Sequence, residues 1–392
     1  MSISILNCTN PPNEIYTKYL ENNETIDTVN LYIDVKNSST ALFIPDVLED
    51  ILYKNSRLNN IESSIFQNIL HTVSNWKAWC HYRKLNCNIY LANDKGKSSY
   101  HTKINPSYKA NRSIRNSTIQ NLEEEIDNIK YINWQMAKKI INKYVNNTFF
   151  IQLDFLESDF LPYYLITRKF EDYNNILHVL ISSDKDHFQV LNLPNTVMYY
   201  KMRNDEFIFD RYNYMYRYLS LNKTENKGKY IQYINEVDPK LISLIMSFVG
   251  DTSDNIKGCT RVAEKSAIKI FAENKEFFYK ILSDWDGFTN KILTENLSFE
   301  EYGKDVTITE KLSHLLENES DKIIKAFKQI DYEILCLWLE QENKMFKIDM
   351  LKSINDILDS EKINVSLDDL WVNGIMKMDD IYLQKSDLNY LI

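Results

Sequence analysis

The chain has 392 residues, enough for a full-sized core domain with appendages, and its formal net charge of −9 lies in the tail: residues 281–392 hold 12 Lys against 23 acidic residues, leaving 34 basic and 32 acidic upstream. Five cysteines (Cys8, Cys80, Cys87, Cys259, Cys336), odd in number and without paired CxxC spacing, exclude a disulfide framework or zinc ribbon and predict free thiols in a reducing compartment. No stretch approaches the roughly 20 apolar residues of a membrane span and Met1 to Asn13 lacks a signal-like pattern, so a soluble cytoplasmic protein with no membrane partner is expected.

Residues 1–28 have no clear periodicity and read as an N-terminal extension or a partly ordered arm. Val29 to Val35 is β-rich, ends on Asp34 and is followed by Lys36-Asn37-Ser38-Ser39, the polar punctuation between a strand and a helix. A helical stretch runs from about Ile61 to Lys84. Cys87 to Leu91 makes the next strand, closed by Asn93-Asp94-Lys95-Gly96, so Asp94 repeats the placement of Asp34. Residues 97–116 then interleave Lys97, Lys103, Lys109, Arg112 and Arg115 with Tyr100 and Tyr108, without one acidic side chain. Such a segment suits nucleic acid, cations neutralising phosphate and rings stacking on bases; an exposed loop has the same composition. Ile119, Leu122, Ile126, Ile129 and Ile132 mark a helix over Thr118 to Tyr144, with packing as their role.

Asn147 to Phe155 reads as a strand, and Glu157-Ser158-Asp159-Phe160 as the opening of the following helix, where acids also suit the helix dipole. Ile176 to Ile181 is an unbroken apolar run, the signature of a strand buried on both faces of a mainly parallel sheet. It stops at Ser182-Ser183-Asp184-Lys185-Asp186, and ligands of open α/β sheets collect at such strand ends. Residues 197–235 read as an irregular connection. From Pro239 a helix halts at Gly250, and Asp251 and Asp254, spaced i, i+3 as on one helical face, precede a second helix near Val262. Two helices about a glycine-containing turn can hold phosphates on backbone N–H groups. The remainder, from about Lys291 to Ile392, is helical by its apolar spacing, ends acidic and carries no catalytic constellation.

Eight carboxylates thus fall at strand ends or helix starts: Asp34, Asp94, Glu157, Asp159, Asp184, Asp186, Asp251 and Asp254. Gathered without cations they would force several pKa values upward and destabilise the fold. Two divalent ions remove that conflict. All-oxygen donors favour Mg²⁺, with Mn²⁺ as substitute, and a two-metal site can activate water and stabilise the departing oxygen of a phosphodiester.

Three segments, Pro106-Ser107-Tyr108-Lys109-Ala110-Asn111-Arg112, Ser183-Asp184-Lys185-Asp186 and Gly250-Asp251-Thr252-Ser253-Asp254-Asn255-Ile256, appear in that order. In them, over residues 29–280, the chain resembles the flap endonuclease family of structure-specific 5′ nucleases, most closely the phage and bacterial branch that includes the 5′ nuclease domain of DNA polymerase I. The resemblance implies an α/β, PIN-like fold: a mainly parallel sheet flanked by helices over residues 29–235, with a helical arch at 97–144, a helix-three-turn-helix region at 236–290 and an acidic helical C-terminal extension at 291–392. It implies Mg²⁺-dependent hydrolysis near 5′ ends, nicks or flap junctions of DNA, or of RNA–DNA hybrids, in replication. Asp34, Asp94, Glu157, Asp159 and Asp184 would serve the metal nearer the scissile phosphate, and Asp186, Asp251 and Asp254 the second. Lys109 and Arg112 would contact that phosphate, with Asp34 and Asp184 completing the catalytic set, and Tyr108 would stack on a terminal base. Arg115, Lys257, Gly258, Arg261 and Lys265 would grip DNA, with K⁺ at the hairpin turn, and the acidic tail would meet a replication protein.

Departures from the family pattern are Asp34-Val35-Lys36-Asn37 for its usual DGxN, Phe160 for an acid of the bacterial EADD, and Arg261 and Ala263 for two hairpin glycines. They keep two other readings open, a catalytically reduced DNA-junction binder and a PIN-like ribonuclease. The Asn, Ile, Lys and Tyr richness fits an AT-rich genome, and with no fused polymerase in the sequence a stand-alone phage replication enzyme is expected.

Overall fold

A computed structural model describes residues 11–21, 23, 25–34, 72–94, 98–110, 146–153, 156–170, 175–202, 205–218, 227–346 and 356. Among them six strands form one sheet: β1 (Thr28–Asp34), β2 (Asn86–Asp94), β3 (Thr148–Leu153), β4 (Ile176–Ile181), β5 (Thr196–Met202) and β6 (Asp205–Phe209). Their order is β3-β2-β1-β4-β5-β6, every pairing parallel except the last. In the two central strands Leu31, Tyr32 and Ile33 and every residue from Leu177 to Ile181 are buried, on both faces, which explains why β4 reads as a continuous apolar run. Their few polar residues pair across the ladder: Asn88 Nδ2 donates to Asn30 Oδ1 at 2.9 Å, and the Tyr32 hydroxyl lies 3.0 Å from His178 Nδ1.

Strand order reverses its direction between β1 and β4, the switch point where such sheets open a crevice. Register then places the acids. Asp34 lies opposite Ala92, so Asp94 stands two residues further along the neighbouring strand. A two-residue offset keeps both side chains on one face, separated along the strands by roughly 6.6 Å.

Helices cover the sheet: α1 (residues 72–82), α2 (Ser99–Ile104), α3 (Leu161–Arg168), α4 (Ile242–Val249), α5 (Glu264–Glu273), α6 (Lys275–Ser283), α7 (Trp285–Leu293), α8 (Glu310–Ile330) and α9 (Tyr332–Phe346). Helix α4 is apolar almost all round because it is buried all round, and the Ser247 hydroxyl is accommodated by an internal bond from its Oγ to the Ser243 carbonyl at 2.7 Å. Helix α8 is capped by the Thr309 hydroxyl and lays Leu312, Leu315, Ile323 and Phe327 against the core. The Asp331 carboxylate accepts the Ile334 N–H at 3.0 Å and so opens α9 directly after α8 ends.

Three expectations change. Residues 11–28 pack onto the core through Ile15, Leu20 and Ile26, and Lys18 and Tyr19 both bond Asp210, so the described part of the N-terminal extension is no loose arm. The described residues of 197–235 form β5 and β6, an antiparallel pair, with helices at Tyr214–Tyr218 and Lys227–Asn235. Glu157 to Phe160 form the turn before α3 rather than its first turn, and Phe160 is fully buried. The proposed helix at Thr118 to Tyr144, most of the arch and the chain beyond Phe346, Asp356 excepted, lie outside the described residues. No described helix is long and apolar enough to cross a membrane.

Candidate active site

The sequence-predicted acids converge from five places in the chain. Asp34 and Asp94 end β1 and β2, and Glu157 and Asp159 lie in the turn leading to α3. Asp184 and Asp186 follow β4, where Asp184 Oδ1 accepts the Asp186 N–H at 3.1 Å and starts a short 3-10 helix, Lys185–Asn192. Asp94 is fixed by Ser158, whose N–H and hydroxyl both donate to Asp94 Oδ1, at 2.6 and 2.8 Å. Asp251 and Asp254 come from the hairpin after α4. They do not share a helix face as their spacing suggested: Asp251 is in strand β7 (Gly250–Asp251) and Asp254 in the turn before β8 (Ile256–Lys257). Turn geometry wins because Asp251 Oδ1 takes the Ser253 N–H and hydroxyl, both at 2.7 Å, an alternative to helical bonding.

Two glycines set that hairpin. A Cβ on Gly258 would lie 2.2 Å from the backbone of Val249, and one on Gly250, at φ 74°, 2.2 Å from the Gly258 nitrogen. Backbone therefore packs on backbone, the close approach that only glycine permits. Asn255 and Arg261 also adopt left-handed backbone, at φ 59° and 60°, the region that glycine enters most readily. Lys257, Arg261 and Lys265 are exposed along this element.

The basic-aromatic segment docks directly on the hairpin. Asn105 Nδ2 donates to the Asn255 carbonyl at 3.0 Å, Asn255 Nδ2 to the Ser107 carbonyl at 2.8 Å, and Lys109 N–H to the Asp254 carbonyl at 3.0 Å. Lys109 has φ 55°. Its ammonium is ion-paired with Glu157 and lies 3.4 Å from Asp254 Oδ2. Burial works against that charge, but Glu157, Asp254 and Asp159 outweigh it and hold the lysine above its ordinary pKa.

Tyr108 corrects an expectation. It is 4 % exposed, its hydroxyl donates to Glu157 Oε2 at 2.9 Å and lies 3.0 Å from Asp254 Oδ2, and its ring is stacked on His101 at 4.5 Å. A face already covered by an imidazole has no room for a terminal base; here Tyr108 is a polar bridge between two acidic motifs. Arg112 and Arg115 lie outside the described residues.

The electrostatics separate the acids into two neighbouring groups. Asp159 is held protonated well above the ordinary carboxylate range, first by burial and then by Glu157 and Asp94. Asp186 is raised likewise, by burial and then by Asp184, Asp251 and Asp254, so Asp184 acts with the second group. Both residues keep an edge in contact with solvent, yet the protein packed around them makes desolvation the leading cause. Among the described residues no three acidic, His or Cys side chains close to metal-holding geometry as they stand. The donor set nevertheless fits a hard divalent ion: it is all oxygen, and two of its members cannot hold their charge without added positive charge.

No protein-family model matches the chain, and no curated protein does. Solved structures do match. The T5 D15 protein co-crystallised with metal ions superposes with a TM-score of 0.52 at 16 % identity, covering 84 % of this chain and 98 % of that one. The T5 5′-exonuclease with bound zinc gives a TM-score of 0.53, again at 16 % identity over 84 % and 98 % of the two chains. The fold is the 5′-exonuclease fold. At that identity the likeness bears on architecture, and residue roles rest on the geometry above.

Residues not anticipated from sequence are Ser158, which fixes Asp94, and the Asn105 and Asn255 pair that ties two motifs together. Asn255 lay inside a recognised motif, the one signal available.

Proposed function

We propose that the chain is a structure-specific 5′ nuclease, hydrolysing phosphodiesters near 5′ ends, nicks or flap junctions of DNA. The observation that carries this reading is the Tyr108 and Lys109 bridge from Glu157 to Asp254, which joins three motifs spread over 150 residues into one acidic crevice at the switch point of the sheet. In this reading Asp34, Asp94, Glu157 and Asp159 hold one divalent ion and Asp184, Asp186, Asp251 and Asp254 help hold another, Mg²⁺ by donor chemistry with Mn²⁺ substituting. Bound there, the ions supply a water activated at neutral pH and positive charge for the departing oxygen.

The chain's own residues then have defined work. Lys109 is the cation that leaves Glu157 and Asp254 for the scissile phosphate, joined by Arg112, while Arg115 contributes to DNA binding. Tyr108 keeps Glu157 and Asp254 at a fixed separation. Exposed Lys257, Arg261 and Lys265, with the backbone around Gly258, track duplex phosphates, so affinity falls with salt. K⁺ at this turn would compete with a resident cation, because Lys322 Nζ already lies 3.3 Å from Thr260 Oγ1 and 2.7 Å from Glu319. An RNA–DNA hybrid is a second substrate of the same crevice, and a replication protein a partner for the acidic C-terminal region.

Incubation with a 5′-flap or nicked duplex and Mg²⁺ tests the reading. Short 5′ products, lost in Asp184→Ala, are expected. Junction binding without cleavage at high protein concentration would instead favour the catalytically reduced binder, a reading supported by Phe160, a buried apolar side chain that supplies no carboxylate.

A further inference from the structure

The start of α9 reaches the underside of the carboxylate edge, far from it in sequence. Gln189, buried in the 3-10 helix after Asp184, receives the Tyr332 N–H on Oε1 at 3.1 Å and donates from Nε2 to the carbonyls of Ile330 at 2.9 Å and Asp186 at 3.2 Å. The Asp186 turn and the α8–α9 junction are thereby stitched together. On the other flank, Glu333 accepts from Tyr163 at 3.1 Å and from Arg168, both on α3, the helix that follows Glu157 and Asp159.

Between these clamps two buried side chains have no hydrogen-bond partner. The Tyr332 hydroxyl is one, on a residue 3 % exposed, and both ring nitrogens of His187, 2 % exposed, are the others. Their rings meet edge to face at 6.4 Å. His187 also lines a cavity of ≈ 10 Å³, room for about one water molecule, together with Asp34, Ser158, Asp159 and Ser182. Leaving buried donors unsatisfied is costly, and such groups are uncommon without a role.

We propose that Tyr332 is a positioning residue for the acidic crevice: its hydroxyl, with the His187 imidazole beside it, supplies the hydrogen-bond donors that fix the metal-holding carboxylates from beneath when a divalent ion draws them together. Both groups carry the needed proton. Burial first, and then the nearby acids, push the Tyr332 phenol above its ordinary pKa, so the hydroxyl keeps its proton. An imidazole carries at least one N–H in either charge state, so the buried His187 ring has a proton to donate. Donors behind a ligating carboxylate orient it and raise metal affinity, so a residue of the C-terminal helices becomes part of the site. The inference rests on the metal-dependent reading above, but its test reads metal binding separately from cleavage.

Tyr332→Phe keeps the ring and removes only the hydroxyl. In the full chain its metal-free Tm should equal or exceed that of the parent, while Mn²⁺ affinity by titration calorimetry falls about tenfold. The Mn²⁺ concentration for half-maximal flap cleavage should rise by the same factor with KM for DNA unchanged. Tyr163→Phe removes a hydroxyl that only ties α3 to α9, and should lower the metal-free Tm without moving Mn²⁺ affinity. Unchanged Mn²⁺ affinity in Tyr332→Phe, or an equal loss in Tyr163→Phe, overturns the proposal. If Tyr332→Phe fails to fold, His187→Leu decides it in the same assay. A parent protein that binds Mn²⁺ yet leaves flap DNA intact sinks the nuclease reading, while the affinity comparison still settles Tyr332.

Discussion

The sheet edge and the hairpin after α4 both deliver carboxylates to the crevice, but they hold them by different means. At the edge, parallel register fixes Asp34 and Asp94, and many ladder bonds share the load. In the hairpin, Asp251 and Asp254 depend on two glycines whose backbones touch. Placement by register tolerates side-chain change because the backbone is set elsewhere; placement by close approach fails on one added carbon.

Gly258→Ala tests that difference most severely. Val249 backbone must move, so a loss of about 3 kcal/mol or more is expected in urea denaturation, together with loss of duplex binding. At the edge the same isosteric scale of change should do the opposite. Asp186→Asn removes a charge that burial and three neighbouring acids oppose, so metal-free stability should rise by about 1 kcal/mol while flap cleavage drops about a hundredfold or more. Denaturation and a cleavage assay on one preparation check both signs.

The edge should also titrate. Asp159 and Asp186 have folded pKa values raised above their unfolded ones, and buried Asp331 is pushed up to about 7. A raised carboxyl contributes no penalty below its unfolded pKa and destabilises increasingly as pH climbs toward its folded one. The metal-free Tm should therefore fall from pH 4 to pH 7, and saturating Mn²⁺ should remove most of the fall except the share due to Asp331, which Asp331→Asn isolates. The smallest effect belongs to the turn: Arg261→Gly relieves a left-handed arginine, adding about 1 kcal/mol, and weakens duplex binding with a shallower salt dependence.

Much of the edge was legible in the sequence because each acid follows a local signal. The apolar run Ile176 to Ile181 announces a strand buried on both faces, and the acids behind it follow from where such strands end. Burial was not legible in the segment around Tyr108: an aromatic among lysines has one composition whether its ring faces solvent or, as here, His101. The β5 and β6 pair was hidden because Asn, Lys and Tyr dilute the alternation, and pairing with β4 supplies the order that local propensity lacks. Gln189 and Tyr332 were beyond reach for a simpler reason. Their contact spans 143 residues, and nothing local distinguishes either from an ordinary core position.

Register has a last consequence for how this chain can vary. The one-rung stagger of Asp34 against Asp94 is a counting relation, fixed by how many residues β2 spends before its acid. Deleting a single residue within β2 upstream of Asp94, while leaving every acid in the gene, would turn Asp94 to the opposite side of the sheet. Length variation inside β2 is thus equivalent to losing a ligand, whereas growth in a join that carries no acid leaves the stagger as it is.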